Sequence, residues 1–277
     1  MWPSTQIMKL IFALLIYTLL FSCADAPNNN KTPYKHSNFS KVLKKRTNVV
    51  TNIQSIIDLL QEGKYNDVIN IVDNDLAIRK DSLSYLYYCR GIASYKLNNY
   101  NNAKQAFILS LENNNTDNRV YGWLGDAYQQ LKEPDSALKY YNIGIAKSGG
   151  DPNILNNLGI FYIAQNKCEK AIVIFQNLLK QDSLDINYCF NLAQAYYTMQ
   201  DYNNAFALLQ KYKKLFPDEY SFYNLEAQVY VRQRKFEEAR SSWEKSLQLQ
   251  PDDNNAAENL KRFDLIKAYH SEHKSTP

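Results

Sequence analysis

One residue sets the period of this chain: Ala103, Ala137, Ala171, Ala205 and Ala239 each follow the last by 34 positions. Twelve positions before each alanine stands a minimal side chain (Gly91, Gly125, Gly159, Ala193, Ala227), and four after it a bulky one (Phe107, Tyr141, Phe175, Leu209, Trp243). Self-similarity at a fixed period of this length marks a stacked array of one supersecondary unit, in which each copy buries a face it could not bury alone. A small residue facing an alanine predicts a seam where two helix backbones approach closely, with the large residue filling the space beside it. Turn-prone pairs separate the two helical stretches of each unit: Asn98-Asn99, Glu133-Pro134, Asn166-Lys167, Gln200-Asp201 and Arg234-Lys235. Pro134 suits a first helical turn, where its missing N–H is harmless.

Three segments carry a resemblance: Leu124-Gly125-Asp126-Ala127-Tyr128, Leu158-Gly159-Ile160-Phe161-Tyr162 and Leu192-Ala193-Gln194-Ala195-Tyr196. Together with the alanine ladder, and with Pro217 and Pro251 closing two units, they resemble the tetratricopeptide repeat. The resemblance implies an all-α, right-handed solenoid of six helix-turn-helix units at 49–83, 84–117, 118–151, 152–185, 186–219 and 220–253. The first unit is imperfect, with Val68 in the alanine slot and Ile53, Ile56, Ile57 and Leu60 striping its first helix. Departures are Arg90 and Glu226 in the leucine slot, Ser94 in the tyrosine slot, and Leu178 and Tyr212 in a small-residue slot. In 254–277, Ala257, Leu260, Phe263 and Ile266 recur at helical spacing between charged residues, as in a helix that caps an open solenoid.

Before the repeats, Leu10 to Phe21 form an apolar run of 12 residues preceded by Lys9, too short to span a bilayer and suited to a signal-peptide core. Leu20-Phe21-Ser22-Cys23 resembles a bacterial lipobox, which implies a signal peptide over 1–22 and lipidation of Cys23. Met8-Lys9-Leu10 opens a cleaner signal than Met1-Trp2-Pro3, so translation from either methionine is open. Residues 23–48 read as a tether, with six Lys and Arg and one acid (Asp25), and a basic segment beside a lipid adds a second membrane signal. No acidic run of the kind that resembles a surface-export signal in some lipoproteins follows Cys23, which favours a periplasm-facing protein, and the location expected of such a lipoprotein is the outer membrane. Residues 49–277 hold 25 basic and 27 acidic residues, a balance that argues against nucleic acid as partner.

The chain has little with which to build an enzyme. His36, His270 and His273 all lie outside the repeats, and no phosphate-cradling glycine loop, Gly-x-Ser-x-Gly or Cys-x-x-Cys occurs. The acids Asp126 and Asp201 read as parts of solvated faces. Of Cys89, Cys168 and Cys189, the last two fall in apolar slots and read as small buried hydrophobes too far apart for a disulfide, the odd count argues against stabilisation by disulfides, and no cofactor or metal is expected. Tyr128, Tyr162, Tyr196 and Tyr230 form one packing column and Tyr87, Tyr121 and Tyr223 another, both expected in the core.

If the family's geometry holds, other positions face a concave groove: Tyr85, Tyr88 and Tyr95; Asn156, Asn157 and Ile160; Asn187, Phe190, Asn191, Gln194 and Tyr197; and Asn224 and Gln228. Aromatic and aliphatic faces receive a partner's side chains while Asn and Gln bond its backbone. The basic clamp by which some members hold a terminal carboxylate has no counterpart here, since the two positions concerned read Tyr88 and Ile92, Gly122 and Asp126, Asn156 and Ile160, Phe190 and Gln194, Asn224 and Gln228. The reading is a non-enzymatic, lipid-anchored adaptor that binds a protein or peptide of the cell envelope, and it resembles bacterial tetratricopeptide lipoproteins. The alternative is a glycan- or nutrient-binding lipoprotein using the groove tyrosines as stacking platforms.

Overall fold

A computed structural model of the chain describes residues 47–78 and 83–273; the expected signal, Cys23 and tether lie outside them, except that Thr47 and Asn48, read as the end of the tether, open a helix. The described residues form helices without strands: α1 Thr47–Gln61, α2 Tyr65–Ile78, α3 Leu83–Lys96, α4 Tyr100–Glu112, α5 Arg119–Gln130, α6 Pro134–Ser148, α7 Pro152–Ala164, α8 Cys168–Gln181, α9 Ile186–Thr198, α10 Tyr202–Leu215, α11 Tyr220–Arg232, α12 Phe236–Leu249 and α13 Asn254–His273. Pro134 and Pro152 are the first residues of α6 and α7. The chain divides inside α7, at Phe161 and Tyr162, into two compact units.

In the N-terminal unit each helix packs on the next from α1 to α6, and α3 also touches α1 and α5. The seams differ from the small-on-small contact expected of them. Gly91 is covered by a ring: a methyl placed on it would lie 2.4 Å from Phe107 Cε1. Gly125 meets Tyr141 in the same way, with 2.6 Å to its Cε1. Each glycine is therefore the socket for the large residue 16 positions later, while Ala103 and Ala137 are fully buried beside it. The imperfect first unit packs through Ile56, Val68 and Val72 against Leu86, Cys89 and Ala93.

In the C-terminal unit α8 to α13 pack in succession, and α9 also touches α11. Ala205 and Ala239 are fully buried, as are the small residues Ala193 and Ala227 and the large residue Leu209. Tyr212, in a slot where a small residue is usual, stacks on Phe222 with centroids 6.2 Å apart. The last helix covers Ala227, Ala239 and Trp243 through Ala256, Leu260 and Phe263. Ala256 takes the place expected of Ala257, which is exposed, and the helix runs on to His273.

The turns inside the hairpins repeat as strictly as the seams. Asn98, Lys132, Asn166, Gln200 and Arg234, 34 positions apart, all have φ between 55° and 66°, and Gly63 has 75°. Each closes its helix with one pair of backbone bonds, shown by Lys132 N–H to Gln129 O at 3.0 Å and Glu133 N–H to Tyr128 O at 2.9 Å. That is the Schellman arrangement, in which a left-handed residue satisfies the last carbonyls of a helix. Asn tolerates the left-handed region, whereas Lys132, Gln200 and Arg234 adopt it at a cost.

Two outcomes follow. Gly125→Ala forces its methyl into the Tyr141 ring and should lower stability by roughly 1–3 kcal/mol in chemical denaturation. Lys132→Gly, at an exposed position of φ 60°, should raise stability by about 0.5–1 kcal/mol in the same assay.

Candidate functional site

In the N-terminal unit, α3 presents Tyr85, Tyr88 and Tyr95. Tyr88 and Tyr95 are each only 4% exposed. The Tyr88 ring lies 6.2 Å from Phe107, and Tyr95 stands edge-on to Trp123 at 5.3 Å. These two tyrosines are the floor of this face, with Tyr85 half-buried beside them, and Ile160 on α7 is half-buried as well. Trp123, which belongs to the same floor, was not among the positions read as facing the groove. It follows Gly122, where a methyl would lie 3.3 Å from Ile154 Cγ1, so the glycine lets α7 close over α5.

Asn156 is buried and Asn157 half-buried, and the latter reaches an acid. Asn157 Nδ2 donates to Asp126 Oδ2 at 2.8 Å, and the Tyr141 hydroxyl donates to Asp126 Oδ1 at 2.6 Å, with Gln129 Oε1 3.2 Å from the same hydroxyl. Asp126 is 7% exposed, so the expectation of a solvated acid is corrected here. The misreading has a clear source: its position in the repeat is an inner one, and its partners Tyr141 and Asn157 come from other helices. Burial pushes the Asp126 carboxyl up to about 7, opposed by the Tyr141 hydrogen bond and the Lys96 charge. Asp201, by contrast, caps α10 by accepting from the Asn204 backbone.

The two tyrosine columns are also corrected: Tyr87, Tyr121, Tyr128, Tyr162, Tyr196, Tyr223 and Tyr230 are half-buried rather than enclosed. Lys104 lies 5.2 Å over Tyr128 and Lys170 5.4 Å over Tyr162, which uses the tyrosines as amphipathic edges.

In the C-terminal unit, α9 carries Asn187, Phe190, Asn191, Gln194 and Tyr197, and α11 carries Asn224 and Gln228. Asp185 caps α9 by accepting from the backbone N–H groups of Asn187 and Tyr188. Tyr197 is buried, and its hydroxyl accepts from Arg232 Nε at 3.0 Å. Asn187, Phe190, Asn191, Gln194 and Gln228 are half-buried. Phe190, Asn224 and Gln228 come together in a cleft with Tyr220, Ser221, Leu225, Asp253 and Asn255. The last five were missed, although Asp253-Asn254-Asn255-Ala256 has the form of a helix N-terminus beginning on a capping acid. Asp253 Oδ1 accepts from the backbone N–H of Asn255 at 3.1 Å and of Ala256 at 3.3 Å.

Elsewhere on α11, Glu226 in the leucine slot is buried yet fully engaged. Gln210, Lys213 and Ser242 all donate to it, from α10 and α12. Arg90, in the same slot of an earlier unit, pairs with Asp73 at 2.7 Å. Cys89, Cys168 and Cys189 are free and buried, with burial pushing Cys89 up to about 12 and Cys189 up to about 11. Among the described residues no group of three His, Cys, Asp or Glu side chains converges as a metal site.

Residues 119–142 match the tetratricopeptide-repeat family, and residues 164–246 match the family described as anaphase-promoting complex, cyclosome, subunit 3. We found no match among curated proteins. Solved structures are similar in fold. The C-terminal part of a repeat-containing protein from Cytophaga hutchinsonii is 18% identical with TM-score 0.57, covering 80% of this chain and 89% of that one. A thermophilic repeat protein of Thermus thermophilus is 18% identical with TM-score 0.58, covering 66% and 99%. A repeat protein from Parabacteroides merdae is 14% identical with TM-score 0.52, covering 77% and 97%.

The buried acid gives a pH dependence. Because the folded Asp126 titrates near 7 and the unfolded one near 3.8, the stability tied to its neutral form is fully present below about pH 4 and lost as pH rises through 7. Asp126→Asn should abolish that decline and leave the variant more stable than the parent at pH 8 by roughly 2–4 kcal/mol, provided the Asn157 amide turns to match. Urea melts from pH 4 to pH 8 check it.

Proposed function

We propose that this tetratricopeptide-repeat solenoid is a non-enzymatic adaptor, held at the outer membrane by a lipid on Cys23 and facing the periplasm, that binds a segment of an envelope protein. Repeat solenoids of this kind act through protein–protein contact. The observation that carries the reading is the cleft between α9, α11 and the start of α13, where the apolar Phe190 and Leu225 stand beside the amides of Asn224 and Gln228. An apolar wall with amides takes a side chain and its backbone together. The lipid anchor is supported by Leu20-Phe21-Ser22-Cys23 after an apolar run, and the basic residues that follow supply a second attraction to an anionic surface.

A photo-crosslinking residue at Phe190 or Gln228 in living cells should capture a partner, while one at Val173, 57% exposed on α8, should not. Phe190→Ala should weaken binding of that partner about tenfold or more without loss of helicity. Tyr197 is unsuited to this test because its truncation would hollow the core. Cys23→Ser should move the chain, with its partner, from the membrane to the soluble fraction. Equal capture at Val173 would refute the cleft, and retained membrane association would refute the anchor.

A further inference from the structure

We infer that Asn224 is a built acceptor for a backbone N–H of an extended peptide, fixed in place by the first residues of the terminal helix. This rests on the peptide-binding reading above and gives it a definite contact and a ligand geometry.

Asn224 is 6% exposed and lines the cleft. Its Nδ2 donates to Asp253 Oδ2 at 3.2 Å, while its Oδ1 is buried without a hydrogen-bond partner. The two ends of the amide are not interchangeable, because a carboxylate only accepts and must be met by the nitrogen. Asp253 cannot turn to relieve the oxygen either. Its Oδ2 also takes the Ser246 hydroxyl at 2.9 Å, and its Oδ1 is held by the two backbone N–H groups that open α13. The side chain is thus locked with an unpaired carbonyl oxygen, a state that folded proteins seldom keep unless something outside the fold completes it.

A carbonyl oxygen is completed by a donor, and the surroundings specify which kind. Phe190 is apolar and half-buried and suits an aliphatic or aromatic side chain, with the enclosed Leu225 behind the lining. Gln228, one helical turn from Asn224, carries both a donor and an acceptor and matches the C=O and N–H of a neighbouring peptide group. The peptide must be extended at this point, since a helix has already used its own N–H groups beyond the first turn. Phe190 and Gln228 are half-buried and form the accessible part of the cleft beside Asn224. The terminal helix is accordingly part of the site, because Asp253 at its start sets the orientation of the acceptor.

The test uses the full chain in detergent against an array of short synthetic peptides of varied sequence, with a glycan array alongside. The strongest binders are then resynthesised with single N-methyl groups along the backbone. One methylation should weaken binding to the parent protein by about tenfold or more. In Asn224→Leu, with melting no lower than the parent's, peptide binding should be weaker and the same methylation should have almost no further effect. Peptides that bind but are indifferent to N-methylation at every position overturn the inference while leaving the peptide reading intact, and that result needs no variant to fold. A methylation penalty unchanged in Asn224→Leu overturns it equally. Binding of glycans alone, or of nothing, overturns both.

Discussion

The fold depends on one steric exchange, an absent side chain on the first helix of a hairpin and a ring on the second. Gly91 receives Phe107 and Gly125 receives Tyr141, each ring occupying the volume in which a β-carbon would have stood. Close-packed interiors tolerate no such overlap, so the spacing of helices within a hairpin is fixed by this contact before any polar group is considered. Where the socket is Ala193 or Ala227, the residue already bears a β-carbon, and the partner 16 positions on is Leu209 or Trp243. The alanine ladder runs beside these sockets.

With the spacing fixed, charge is admitted to the interior only where donors converge. Glu226 stands in a slot made for leucine, but the hairpin geometry places Gln210, Lys213 and Ser242 around it. A buried pair of this kind adds little net stability, yet removing one partner leaves an uncompensated charge, so the network constrains which helices can be neighbours. Asp126 meets the same demand differently, with two neutral donors and a carboxyl whose titration has moved toward neutrality. The helix ends obey the same accounting, through a column of left-handed residues that return the final carbonyls to the backbone.

Much of this was legible in the residue order, because a period of 34 leaves few architectures open. Helix type, hairpin turns and the buried alanines all follow from it, since each depends on neighbours a fixed number of residues away. The less legible features depend on which residue of another helix lies opposite. A repeat position says that Tyr88 and Tyr95 point inward, but not that Phe107 and Trp123 close over them. It likewise placed Asp126 on an inner face without revealing Tyr141 and Asn157 as its partners. The candidate cleft was half visible: Phe190, Asn224 and Gln228 follow from the pattern, whereas Asp253 enters from a terminal helix outside it. The tyrosine columns misled because aromatic residues at helical spacing resemble core, and here they sit at edges with lysines lying over Tyr121, Tyr128, Tyr162, Tyr223 and Tyr230.

The three thiols within the repeats have a chemical consequence of their own. Exchange with an external disulfide begins from a thiolate, and burial holds Cys89 near 12 and Cys189 near 11. Burial raises Cys168 as well, so little of any of these sulfurs stands in its reactive form at neutral pH. Oxidants and exchange catalysts would therefore find almost nothing to attack until the hairpins part, and thiol modification becomes a clock for unfolding.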